Sequence, residues 1–184
     1  MSSGRNNKLT AQIGEYLVCA ELGKRNLIAT PFSGNVPAFD VLATDEFCRT
    51  IPIQVKTSRG DKWPTDARTW INIHFDKETK TQNNLGRIQI TNPDLIYVFV
   101  ALAPDDKSKD RFFILTKSQL QDVCIKAYSR WMDGHDWKRP RSPESYDCRF
   151  SISELEKEHE NKWELISDRL APSSPDQSLE SAEE

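Results

Sequence analysis

Residues 94–102, DLIYVFVAL, constrain the fold more than any other part of the chain. After Asp94 every position is apolar, without the alternation that a half-solvated strand shows. Such a run reads as a strand covered on both faces. It is far short of the roughly 20 residues that a membrane helix needs. The chain must therefore build a central sheet with a layer on each side. Its 184 residues suffice for one domain with such a core.

The flanking sequence supplies candidates for those layers. Residues 8–25 read as a helix with two apolar stripes: Leu9, Ile13, Leu17 and Ala20, then Ala11, Val18, Cys19 and Leu22. Asn6 or Asn7 can cap it and Gly23 or Asn26 can end it, and two apolar faces imply a sandwiched helix. Strands are expected at 27–32, 38–43 and 50–57, with a turn at 33–35 and with Pro52 weakening the third strand or placing it at an edge. Within the irregular stretch 58–92, residues 68–75 alternate like a strand, 87–90 can pair with them, and 82–84 read as a loop tip. A strand at 111–115 follows. Thr116 with Gln119 has capping-box spacing, opening a helix that stops at Gly134. Residues 135–150 read as a polar connection. Ser151 with Glu154 repeats the capping box before a charged helix ending around 163–166. The expected fold is α/β, a central mixed sheet flanked by helices. One domain spans 1–166, and an acidic, disordered tail spans 167–184.

Charge does not exclude a polyanionic partner. The net charge is −3, but the last eighteen residues hold five acids and one base, leaving 24 bases against 23 acids in the body. With no apolar leader at MSSGRNNKLT and no membrane span, the chain reads as soluble and cytoplasmic. Cys19, Cys48, Cys124 and Cys148 lack the paired spacing of a zinc site, and reduced, packed thiols are expected. The histidines, His74, His135 and His159, share no spacing and read as packing or surface residues.

Four polar side chains, in three segments, fall where a purely structural pattern would put apolar ones. Strand alternation places Gln54 and Lys56 on one face of IQVK, and Ile53 and Val55 on the other. Asp40 interrupts the apolar strand FDVL. Glu15 lies on the stripe of Ala11, Val18, Cys19 and Leu22. Buried charge is costly unless paired, so each of these groups needs a partner or a metal. A cross-strand ion pair between Asp40 and Lys56 would satisfy part of that demand.

A helical Glu, a strand Asp and a strand Gln-x-Lys in this order resemble the PD-(D/E)xK nuclease superfamily, which includes archaeal Holliday-junction resolvases and many restriction endonucleases. The QVKT motif is similar to the Gln-type branch of Mrr-like restriction enzymes, and the likeness covers roughly residues 8–130. It implies a restriction endonuclease-like core of helix, three strands, helix and strand. It also implies a Mg²⁺-dependent DNA endonuclease, with Mn²⁺ able to substitute, working in restriction, repair or defence. Asp40 would be the chief metal ligand, completed by the Gln54 amide, the Val55 carbonyl and Glu15, while Lys56 would serve the attacking water. The alternative is a non-catalytic nucleic-acid-binding or protein-interaction module on the same fold. Between residues 54 and 91 seven bases face four acids, so Arg59, Lys62 and Arg68 are the candidate phosphate contacts. The run Lys138, Arg139 and Arg141 is a second basic patch. Cutting both strands would favour a homodimer, although no heptad marks an interface.

Overall fold

The computed structural model describes residues 3–32, 38–105 and 107–171. Its central sheet has the order β1-β2-β3-β7-β8, formed by Ile28–Pro31, Val41–Thr44, Thr50–Ser58, Ile96–Ala101 and Arg111–Thr116. Only β3 and β7 run parallel; the other neighbours are antiparallel, so the sheet is mixed. The apolar run becomes β7, lying between β3 and β8 and buried on both faces. Val98 and Val100 join one apolar cluster, and Phe99 and Ala101 join the other.

Helix α1, Ser3–Gly23, covers the first face together with α4, Glu164–Leu170. The expected two-faced burial of α1 is not found. Thr10, Gly14, Val18 and Leu22 form one buried stripe at four-residue spacing, while Leu9 and Tyr16 are 51 % and 56 % exposed. The helix lies on the sheet with its back exposed among the described residues. It also starts ahead of the expected caps, and the chain leaves it at Asn26 with φ of 61°. The domain boundary moves as well: α4 runs past residue 166, and Leu170, 4 % exposed, closes the core. The tail from 172 onward and the turn at 33–35 lie outside the described residues.

On the second face sits α2, Lys117–Asp133, opened by the Thr116–Gln119 capping box and closed at Gly134, as its sequence indicates. The expected strand at 38–43 is displaced to Val41–Thr44. That leaves Asp40 just ahead of β2, its N–H donating to the Ile53 carbonyl at 2.9 Å.

The largest departure is the crossover from β3 to its parallel neighbour β7. The resemblance implies a helix there. Among the described residues the connection instead holds β4 (Lys62–Asp66), a 3-10 turn (Ala67–Thr69) and the hairpin of β5 (Ile71–Asp76) with β6 (Thr81–Arg87). Residues 82–84, expected at a loop tip, lie inside β6, and the turn falls at 77–80. Residues 135–150, expected as a connection, end in β9 (Asp147–Ser151), which pairs antiparallel with β4. Trp63 on β4 stacks on Phe150 of β9 with centroids 5.9 Å apart, and that long-range aromatic contact drives the pairing. The last charged segment divides into α3, Ile152–His159, and α4. Glu154 accepts the Ser151 N–H at 2.7 Å, one half of the expected capping box.

Candidate active site

β3 runs on past the start of β2, where among the described residues no strand pairs with it on that side. The β2–β3 register stops at Val41 opposite Ile53, yet β3 runs on to Ser58. Asp40 fills the gap with its side chain. Its Oδ2 accepts the Val55 N–H at 2.8 Å and a second hydrogen bond from Gln54 Nε2. A charge-assisted bond of this kind contributes about 1.5–3 kcal/mol, which offsets part of the carboxylate's desolvation. In a strand, the N–H and C=O of one residue point to the same side. The Val55 carbonyl therefore opens on the edge that Asp40 occupies.

Gln54 is nearly buried at 9 % exposure, and Lys56 is exposed two residues on. The parallel register sets Gln54 beside Tyr97 and Lys56 beside Phe99, so both belong to the α2 face of the sheet. Glu15 arrives from α1 on the opposite face. Its approach depends on Gly14, where a Cβ would stand 2.9 Å from the Thr57 Cβ and nearer still to Oγ1. Burial pushes the Glu15 carboxyl above its ordinary range. The Asp40 charge pushes the same way, and Lys56 partly opposes both. Glu15, Asp40 and Lys56 thus form one electrostatic group at the β3 edge.

The remaining candidates are more dispersed. Arg59 donates from Nε to Thr10 Oγ1 at 3.0 Å, pinning the loop after β3 to α1. Lys62 is exposed at the start of β4. Arg68 is engaged by Asp66 at 2.7 Å and lies over the Tyr146 ring at 4.4 Å, so its charge is largely spoken for. Arg139 of the second basic run serves the fold. It lies over Trp131 at 4.7 Å and donates to the Asp147 carbonyl.

Two residues escape a sequence reading. Tyr97 lies inside the apolar run and looks like core, yet its phenol is raised by burial and then by the Asp40 charge. Only the β3–β7 register, invisible in a single sequence, sets it beside Gln54. Gly14 offers no signal beyond being a glycine inside a helix.

Among the described residues no three His, Cys, Asp or Glu side chains cluster as a metal-binding group. The oxygen donors at the edge are two carboxylates, Asp40 and Glu15, with the Val55 carbonyl and the Gln54 amide. Hard oxygen donors of this kind suit a small divalent cation that retains several waters. Asp40 Oδ1 accepts no hydrogen bond among the described residues and is available to such an ion.

No family model matches the chain, and no curated protein matches it in sequence. Among solved structures it is similar to the bacterial homing endonuclease I-Ssp6803I, with a TM-score of 0.48, 12 % identity, and 88 % of this chain and 93 % of that one covered. It is also similar to Hjc, a Holliday junction resolvase from the archaeal hyperthermophile Archaeoglobus fulgidus. There the TM-score is 0.37 and the identity 14 %, with 79 % of this chain and 91 % of that one covered. At such identities the likeness concerns the fold. No helix among the described residues is long and apolar enough to cross a membrane.

Proposed function

We propose that this chain is a divalent-metal-dependent DNA nuclease whose centre is the β3 edge formed by Asp40, Gln54, Val55 and Lys56, with Glu15 beside it. The observation that carries this reading is the convergence of two mutually repelling carboxylates and a lysine where β3 loses its β2 partner. The Asp40 charge adds to the burial that raises the Glu15 carboxyl, and a bound cation would relieve that repulsion.

Mg²⁺, or Mn²⁺ in its place, would supply Lewis acidity toward a phosphodiester and acidify the attacking water. The protein's own groups then have separate tasks. Asp40 would ligate through Oδ1 while Val55 N–H and Gln54 hold Oδ2, which fixes the carboxylate plane. Gln54 turns its amide nitrogen to Asp40, so its first task is to position that ligand. The Lys56 ammonium would orient the attacking water and stabilise charge growing on the phosphate oxygens. Glu15 would complete the oxygen set and balance Lys56.

The test is cleavage of duplex, nicked, single-stranded and branched DNA with Mg²⁺ or Mn²⁺ and with EDTA. Wild type should cut only with metal. Asp40→Ala and Lys56→Ala should each lose about 100-fold or more of the rate while still folding, Asp40→Ala with some loss of stability because the Val55 N–H loses its partner. Asp40→Ala alone should also weaken Mg²⁺ binding. Binding of DNA without cleavage under any metal condition would identify a non-catalytic module, and cutting by both variants at the wild-type rate would move the site elsewhere.

A further inference from the structure

We propose that the β5–β6 ribbon reads DNA by lying in the major groove, an inference that rests on the reading above for its choice of polymer. The ribbon lies on the same face of the sheet as Gln54 and Lys56. Ile71 belongs to the α2-face cluster and Ile73 packs against it, as does Tyr97, the register neighbour of Gln54.

Two buried amides hold the ribbon to the body. Gln82, fully buried, donates at 2.7 Å and 2.9 Å to the Pro143 and Ser145 carbonyls and accepts from the Tyr128 hydroxyl. Gln121, on α2, donates at 2.8 Å and 3.0 Å to the Trp70 and Ile88 carbonyls, which flank the two strands. The inner face is thus fixed at both ends.

The outer face is exposed among the described residues. His74 stands opposite Asn83, and strand alternation places Asn72 and the partly buried Asp76 on the same side of β5. Leu85 sits in the register shift of β6; it, Asn72, His74 and Asn83 are exposed, Leu85 by 61 %. Asparagine is depleted from strands, and Asn-Asn inside β6 goes against local preference. Asn84 has a structural reason: its Oδ1 accepts the Gly86 N–H at 2.8 Å beside the register shift. The side chains of Asn72, His74 and Asn83 make no internal hydrogen bond among the described residues. A row of amides and an imidazole next to an exposed aliphatic matches the donor, acceptor and methyl pattern of base edges in the major groove. Two strands about 4.8 Å apart, with their side chains, fit a groove about 12 Å wide. Lys77 and Lys80 at the turn are exposed beside Asp76 and Glu78, so the turn carries no net charge, and these two ammonium groups are the ones placed to meet flanking phosphates.

Binding is measured in EDTA, so that cleavage plays no part, against a duplex library with a randomised centre. Wild type should enrich a preferred sequence. The triple variant Asn72→Ala, His74→Ala, Asn83→Ala should lose about tenfold or more in affinity for that sequence, and less than about twofold for random duplex. Lys77→Gln with Lys80→Gln should weaken binding to every sequence and shallow the log–log salt slope by about two units. Replacing purines at the preferred positions with 7-deazapurines should weaken wild type and leave the triple variant unaffected. The proposal is overturned if wild type enriches no sequence, if the triple variant keeps the preference, or if 7-deazapurines have no effect. A protein that reads sequence through the ribbon yet never cuts would overturn the nuclease reading alone. A metal-dependent nuclease whose triple variant reads as wild type would overturn only the ribbon.

Discussion

Asp40 does the work of a missing strand residue, and Gly14 makes the space that lets a second carboxylate approach it. A methyl on Gly14 must displace Thr57 or lift α1, because a Cβ would stand 2.9 Å from the Thr57 Cβ. Gly14→Ala should therefore destabilise the fold by about 1–3 kcal/mol despite alanine's better helix propensity. Adding Thr57→Ala should restore part of the loss by removing Oγ1, as read by urea unfolding; a stabilising Gly14→Ala would mean that α1 does not pack on β3 here. At this scale the sequence was informative about polar interruptions. Asp40, Gln54 and Lys56 stand out because strand periodicity leaves no structural reason for them. It was silent on Tyr97 and Gly14, since an aromatic in an apolar run and a glycine in a helix acquire meaning only from the neighbouring element.

Elements with strong local signals were legible, and those defined by distant partners were not. The capping box at Thr116 and the stop at Gly134 gave α2 both ends. β4 and β9 were missed because each is short and polar on its outer face, and only Trp63 against Phe150 makes them a pair. Helix α3 shows how an element's end acquires a pH dependence. His159 is 6 % exposed, and Glu160 after it pairs with Arg111 at 2.7 Å and bridges Phe113 at the β8 edge. Burial lowers the imidazole's proton affinity; Lys126 and Lys162 add to that, while Glu158, 4.0 Å away, opposes it. An imidazole with a depressed folded pKa leaves stability complete above its unfolded value of 6.5 and erodes it as pH falls below. Wild type should lose Tm between pH 7.5 and 5 through this group, and His159→Gln should lose correspondingly less, as read by thermal unfolding across that range. Equal pH slopes in the two proteins would show that His159 protonates freely in the fold.

The molecule as a whole is two apolar clusters separated by one sheet, as the uninterrupted apolar run required. What that run could not convey is how the second cluster is closed. Trp63 and Trp70 come from the crossover and Phe150 and Leu155 from the C-terminal third, so the cluster draws on residues far apart in the chain. A chain ending at Gly134 keeps the central sheet and α2 but loses β9, α3 and α4. It should lose cooperative unfolding and bind an apolar dye, whereas a chain ending at Ala171 should unfold as the full-length protein does; a cooperative transition in the shorter chain would mean that β4 stands without β9. The β4–β9 pairing also sets a timetable for synthesis. Thr65 waits for Cys148, more than 80 positions later in translation. At roughly 5–20 residues per second, Trp63 leaves the ribosome several seconds before Phe150 exists to cover it. During that interval the nascent chain carries an unpaired strand edge and an uncovered indole, which is the kind of surface that chaperones hold.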